Sequence, residues 1–275
     1  MELKNILSTL EGLKVKGDLN IDISNIDSDS RNIKENGLFV AIKGFDVDGH
    51  NYIKEAIKRG AVAVIASIDA DKKLLKEIMD KVTLILAPDT RLALAICACN
   101  FYDNPSRKFK LVGITGTKGK TTTSFMVKRI LEKAGKKVGL VGTIATYIGD
   151  EKLEDSDRTT PESIKLQQLF SRMARENCEV VIMEVSSQSL KLHRVAGCDF
   201  DIGVFTNFSE DHISAKEHPD MKDYFESKLK LFDMCKIGFV NSDDLQTAKI
   251  PRLLPDKNIS TYGIDTVSYT HLTLP

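Results

Sequence analysis

The chain of 275 residues carries no surplus of either charge, with 39 Lys and Arg against 39 Asp and Glu. A bulk nucleic-acid binder normally shows a basic excess, so no nucleic acid is expected as a partner. No apolar run approaches the roughly 18 residues a membrane helix needs, and no membrane partner is expected. The stretch Met1-Glu-Leu-Lys-Asn5 lacks a basic segment followed by an apolar core, so no secretion signal is expected. Cysteines are few, odd in number and scattered: Cys97, Cys99, Cys178, Cys198 and Cys235. Cys97-x-Cys99 is not the spacing of a zinc knuckle or a redox pair, so reduced core thiols in a cytoplasmic protein are expected. Internal repeats and low-complexity tracts are absent. No Gly-x-Ser-x-Gly turn surrounds any serine, which argues against a nucleophile of that kind. The guanine-specific Asn-Lys-x-Asp pattern is also missing, which argues against a GTPase.

What is present is an α/β pattern in two parts. In residues 1–106, Leu38–Ile42, Ala61–Ala66 and Thr83–Ala87 read as buried strands, with helical patterns at His50–Arg59, Ala70–Asp80 and Thr90–Tyr102. Asp103-Asn-Pro-Ser106 is the expected linker. In residues 107–275, strands are expected at Leu111–Thr115, Lys137–Val141, Glu179–Val185, Asp201–Thr206 and Gly238–Val240. Helices are expected near Gly119–Ala134, Pro161–Glu176 and Pro219–Cys235. Apolar strands separated by helices predict a doubly wound parallel sheet. After Thr261-Tyr-Gly-Ile-Asp265 the pattern opens no further element, and a truncated chain with about seven non-native final residues is expected.

The strongest motif is Leu111-Val-Gly-Ile-Thr-Gly-Thr-Lys-Gly-Lys-Thr-Thr-Thr123. An apolar run enters a glycine turn (Gly116, Thr117, Lys118, Gly119), then Lys120, Thr121 and Thr122 open a helix. Glycines let backbone N–H groups approach phosphate oxygens, the lysine supplies a cation and the threonine hydroxyl a magnesium ligand. The usual phosphate loop has a glycine where Ile114 stands, so this loop is short.

Other groups fall at strand ends, where open α/β sheets bind ligands. Glu184 ends an apolar strand and reads either as a carboxylate near magnesium or as a turn cap. His212, after Asp211, reads as a metal ligand, a base or a plain loop residue. Lys228, on a helix with Glu226 and Lys230 at i, i+4, reads from spacing as solvated. Thr159 and Thr160 before Pro161 read as a helix cap or an anion site. Ser186 and Ser187 suit substrate hydrogen bonding, and Arg194 suits a bidentate anion contact.

Together these motifs resemble the Mur ligases, the ATP-dependent amino-acid ligases of peptidoglycan precursor synthesis. Gly116-Thr-Lys-Gly-Lys-Thr-Thr122 resembles their short phosphate loop. Thr159-Thr-Pro161, Met183-Glu-Val-Ser-Ser187 and His193-Arg-Val195 are similar to the branch that adds the third peptide residue. Asp29-Ser-Arg31, Gly37-Leu-Phe-Val-Ala41 and Asp48-Gly-His50, with Ala56 and Gly60-Ala61, resemble the family's UDP-binding domain. That module is shared with the D-Ala-D-Ala-adding branch, and the Glu-Val-Ser-Ser stretch favours the tripeptide branch. Departures are Arg158, where an asparagine often precedes the threonine pair, Gln188 for a common histidine, Leu192 for a glutamine, and the loop Ile213–His218.

The resemblance implies a small N-terminal UDP-binding domain over 1–106 and an incomplete ATP-binding domain over 107–275. It implies ATP and Mg2+ as cofactors. Lys120 would neutralise phosphoryl charge, and Thr121, Glu184, His212 and Lys228 would gather at the metal, Lys228 as a carbamylated lysine. Ser30, Phe45, Asp46 and Val47 would contact the UDP end, and Thr159, Thr160, Ser186 and Arg194 the muramoyl-peptide. The implied reaction phosphorylates the D-glutamate carboxylate of UDP-MurNAc-L-Ala-D-Glu, and the amine of meso-diaminopimelate or L-lysine then displaces phosphate. A monomer is expected. The alternative is an inactive fragment that binds the nucleotide or UDP-sugar without turnover.

Overall fold

The computed structural model describes residues 1–211, 213–214 and 217–265, and two compact units are seen within them. The first comprises Met1–Asn104 with Ser163–Gln168. Its elements are α1 (Leu3–Ile6), β1 (Lys14–Lys16), β2 (Asn25–Asp27), β3 (Gly37–Val40), α2 (Ile53–Lys58), β4 (Ala61–Ser67), α3 (Lys72–Ile78), β5 (Thr83–Ala87) and α4 (Thr90–Phe101). They build a five-stranded sheet in the order β1-β5-β4-β3-β2, parallel except for the edge pair β1–β5. Strand alternation sorts its apolar side chains onto two faces. Leu38, Val40, Ala63 and Ile65 meet α1 and α4, whereas Phe39, Val64 and Ala66 meet α2 and α3. Asp89 starts α4 by accepting from the Arg91 and Leu92 amides. β1 and β2 escape a hydrophobic reading because each has three residues and β1 is exposed throughout.

The second unit comprises Pro105–Glu162 and the chain from Leu169 onward. In order come β6 (Lys110–Thr115), α5 (Lys120–Lys133), β7 (Val138–Val141), β8 (Ala145–Ile148), β9 (Glu151–Asp155), α6 (Ser163–Arg175) and β10 (Val180–Glu184). Then follow α7 (Ser187–Lys191), β11 (Phe200–Phe205), α8 (Met221–Leu229), β12 (Cys235–Asn241), α9 (Ile250–Leu253) and β13 (Ile259–Tyr262). The eight-stranded sheet runs β13-β12-β11-β6-β10-β7-β8-β9. It is parallel from β13 to β7, but β7–β8 and β8–β9 are antiparallel. The expected wholly parallel sheet is therefore mixed at one edge. The reversing hairpin turns at Gly149, φ 55°, and β9 is too charged and exposed to show an apolar run.

Register decides where the site lies. Glu184 of β10 stands opposite Ile114 of β6, and Phe205 of β11 opposite Thr115. The carboxyl ends of three neighbouring strands thus converge on the start of α5.

Candidate active site

The loop between β6 and α5 is held from behind by the end of β11. Gly116 has φ 141°, and a Cβ there would sit 2.0 Å from Thr206 Oγ1. Only glycine tolerates both that backbone and that contact. Thr206 Oγ1 donates to the Lys118 carbonyl at 2.7 Å. The Asn207 side chain accepts from the Lys118 amide at 2.9 Å and donates to its carbonyl at 3.0 Å, and the Asn207 carbonyl accepts from the Thr117 amide at 2.9 Å. Gly119, φ 82°, then turns the chain into α5 without a side-chain cap. The start of the 14-residue helix thus points its amides outward, where an anion would satisfy them.

Glu184 is fully buried, and its carboxylate reaches neighbouring elements rather than capping the turn after β10. Its Oε2 accepts from Thr121 Oγ1 and Thr143 Oγ1, each at 2.9 Å, and its Oε1 accepts from the Thr143 amide at 3.0 Å. Three donors offset the desolvation of a buried carboxylate. Gly142 makes room, because a Cβ there would lie 2.3 Å from Oε1. Thr143 is a partner that sequence reasoning missed, since a threonine just past β7 carries no motif signal.

Lys228 is 1% exposed, which overturns the solvated reading. Its Nζ donates to the Gly116 carbonyl at 2.9 Å and lies 4.5 Å from the Tyr224 ring centre. Burial, with repulsion from Lys120, pushes its pKa down to about 7, against attraction from Asp211. Lys120 Nζ donates to the same Gly116 carbonyl at 2.9 Å and to that of Thr117 at 3.1 Å. Burial lowers its pKa too, opposed by Glu184 and Asp211. Two amines therefore share one loop carbonyl.

Next to them a pocket of about 220 Å³ is lined by Lys120, Arg158, Thr159, Thr160, Ser186, Ser187, Gln188, Arg194, Glu217, His218 and Lys228. It gathers all four second-unit substrate candidates. Thr160 does not cap α6, which begins after Glu162 with no side-chain cap. Instead its hydroxyl donates to the Glu184 carbonyl at 2.9 Å and accepts from the Ser186 amide at 3.0 Å. Thr159 Oγ1 meets Thr143 Oγ1 at 3.1 Å. Ser186 is the N-cap of α7, accepting from the Ser189 amide. Arg194, mostly buried, pairs with Glu162 at 2.9 Å. His218, fully buried, was not singled out from sequence; it touches Asp223 and Ser187 at 2.6 and 2.9 Å.

His212 lies outside the described residues. In the first unit, Ser30 is buried beside Asp29, whose carboxylate grips Arg31. Phe45, Asp46 and Val47 form a turn closed by the Gly44 amide on the Val47 carbonyl at 2.8 Å, with Phe45 60% exposed. Among the described residues no group of three or more His, Cys, Asp or Glu side chains forms a preformed metal centre. None of the described helices is long and apolar enough to cross a membrane.

The "Mur ligase middle domain" pattern matches residues 114–273, and "Mur ligase family, catalytic domain" matches residues 22–102. Among similar proteins is the UDP-N-acetylmuramoyl-L-alanyl-D-glutamate–2,6-diaminopimelate ligase of Caldanaerobacter subterraneus subsp. tengcongensis, 47% identical over 96% of this chain and 53% of its own length. The ligase of the same name from Clostridium tetani is 45% identical over 96% of this chain and 53% of its own length. The chain spans about half the length of the curated relatives it matches. A solved ligase of that name superposes with a TM-score of 0.77 at 20% identity, over 97% of this chain and 53% of the other. MurF ligase from Thermotoga maritima, solved in complex with ADP, gives 0.54 at 20% identity over 88% of this chain and 51% of its own. At such identities the likeness is one of fold.

Proposed function

The chain belongs to the Mur ligase family, and from that premise we propose that it serves an ATP-dependent amide ligation in peptidoglycan precursor synthesis, in the cytoplasm. The proposed substrate is UDP-MurNAc-L-Ala-D-Glu, and the amino acid added is a diamino acid. The names of relatives from 40% to 47% identical favour 2,6-diaminopimelate over L-lysine. The first unit takes the UDP end, with Ser30 and the turn Phe45–Val47 as contacts. The second takes the nucleotide and the peptide.

The observation that carries this reading is the pairing of Lys120 and Lys228 on the Gly116 carbonyl, next to a Thr121 bonded to the buried Glu184. The amides at the uncapped start of α5 receive phosphate oxygens. Lys120 meets the charge that develops on the transferred phosphoryl group. Thr121 Oγ1 and Glu184 Oε2, already 2.9 Å apart, are hard oxygen donors of the kind magnesium takes. His212 is proposed as a further ligand. Magnesium, when bound, would neutralise phosphoryl oxygens.

An amine with its pKa near 7 is partly neutral at physiological pH, the form that adds carbon dioxide. As a carbamate Lys228 would turn from cation to anion, and its repulsion of Lys120 would become attraction. Thr159, Thr160, Ser186 and Arg194 hold the peptide so that its terminal carboxylate faces the γ-phosphate. The carboxylate oxygen then takes the phosphoryl group, ADP leaves, and the incoming amine displaces phosphate from the acyl carbon. No protein nucleophile is needed.

Titration calorimetry with MgATP tests the nucleotide site. Binding is expected for the folded chain and is expected to be lost in Lys120→Ala. A folded chain that takes up no MgATP overturns the reading. ADP release on adding the UDP-dipeptide and diaminopimelate tests the ligation itself.

A further inference from the structure

Ser187, His218 and Asp223 form a hydrogen-bonded chain that the ligation as proposed does not use. The direction of each bond can be deduced. Burial pushes the Asp223 carboxyl up, but hydrogen bonds from Lys191 and His218 outweigh it and hold the group below its ordinary range. Asp223 is thus ionised and can only accept, from Lys191 Nζ at 2.7 Å and from His218 Nδ1 at 2.6 Å. Nδ1 must then carry a proton.

The groups facing the His218 ring are Ser187 on α7, Asp223 and the Tyr224 ring on α8, and more distantly Lys191 and Lys228. Burial depresses its basicity, Lys191 and Lys228 add to this, and Asp223 opposes them. The net effect leaves the ring neutral at pH 7, with Nε2 as an acceptor. Ser187 Oγ, 2.9 Å from Nε2, must spend its single proton there. Only its lone pairs remain for the pocket it lines. Lys120, Arg158 and Arg194 in that lining offer donors alone, and the other side chains there that only accept are Glu217 and, once carbamylated, Lys228.

We infer that Ser187 is a specificity-determining residue, a fixed acceptor for an N–H group of the ligand, and that His218 and Asp223 are its positioning residues. The pocket thereby selects a peptide amide over the ester of the same shape, while the cations hold the adjoining anionic groups. This rests on the reading of the pocket as the peptide site.

Two measurements on the 275-residue chain test it. Nitrogen-15 NMR of labelled histidine at pH 7 is expected to show His218 neutral with its proton on Nδ1; a proton on Nε2, or a charged ring, overturns the inference. Calorimetry then compares UDP-MurNAc-L-Ala-D-Glu with the analogue in which an ester oxygen replaces the amide N–H between alanine and glutamate. The ester is expected to bind roughly tenfold more weakly, the worth of one hydrogen bond. Ser187→Ala should abolish the difference. Asp223→Asn should abolish it too, because an amide N–H facing Nδ1 reverses the tautomer and turns the Ser187 proton towards the pocket. If neither ligand binds, the peptide reading and this inference fall together. If both bind the unaltered chain equally, or if either variant keeps the discrimination, this inference alone falls.

Discussion

The two units bury polar groups for different ends. In the first, His50 accepts the Ser67 amide at 3.0 Å and meets Asp48 at 2.6 Å, while Asn100 donates to the Ile6 carbonyl at 2.9 Å. Each of these side chains fastens backbone to backbone, and the ligand candidates Phe45 and Val47 lie out in solvent at 60% and 55% exposure. In the second, Glu184 is 0% and Lys228 1% exposed; the first is bonded to Thr121 at the start of α5 and the second to the Gly116 carbonyl of the loop. A buried amide or imidazole that closes a backbone gap marks scaffold. A buried amine held by a loop carbonyl and an aromatic face marks a place where a charge of the other sign belongs.

The largest effect that sharpens this contrast is expected from Gly116→Ala. The new methyl would collide with Thr206 at a residue with φ 141°. MgATP affinity should fall by about 100-fold or more, roughly 3 kcal/mol, as the loop is displaced. Calorimetry checks the affinity, and hydrogen exchange in β3 to β5 should stay unchanged.

Lys228→Met comes next. The folded pKa near 7 lies below the ordinary 10.5, so between these pH values the unfolded chain binds more protons. Lys228 therefore makes stability rise with pH across that window, by at most about 1.4 kcal/mol per unit. Stability is lost as the pH falls towards 7. Urea unfolding at pH 7 and pH 9 should show a smaller rise for the variant than for the unaltered chain. Equal rises would show that this amine is not depressed.

Glu184→Gln keeps the shape but removes the charge that Thr121 and Thr143 serve. A cost of about 1–3 kcal/mol in stability is expected, with weaker dependence of nucleotide binding on magnesium. Melting curves and magnesium titrations read the two effects separately. The smallest effect is expected from His50→Ala, about 1–2 kcal/mol for the Ser67 amide left without its acceptor. MgATP affinity should not change; if it did, the division between scaffold and site would be wrong.

How far the site was readable from sequence follows the same division. The phosphate loop was legible because its residues are contiguous and each glycine has a steric reason. Glu184 was legible as a polar residue ending an apolar run, though its cap alternative needed Thr121 and Thr143 in space to be discarded. Lys228 was opaque, because charges at i, i+4 on α8 look the same whether a helix face meets water or a loop. Only the resemblance singled it out. Ser186 and Thr160 each exchange roles with local expectation: the serine caps α7 and the threonine ties β10 to its neighbour. His218 and Asp223 bond each other across five residues without forming any motif, and their further partners Ser187 and Lys191 are 31 and 32 residues away. The hairpin of β8 and β9 was missed for the opposite reason, being local but too polar to stand out.

The threonine pair on Glu184 also bears on how the molecule assembles. Thr121 reaches that carboxylate across 63 residues and Thr143 across 41, while Lys228 reaches Gly116 across 112. Contacts so distant along the chain pay their loop-closure entropy late in folding. A bound nucleotide would therefore reward the finished sheet alone and hold β6, β7 and β10 together as one cooperative block.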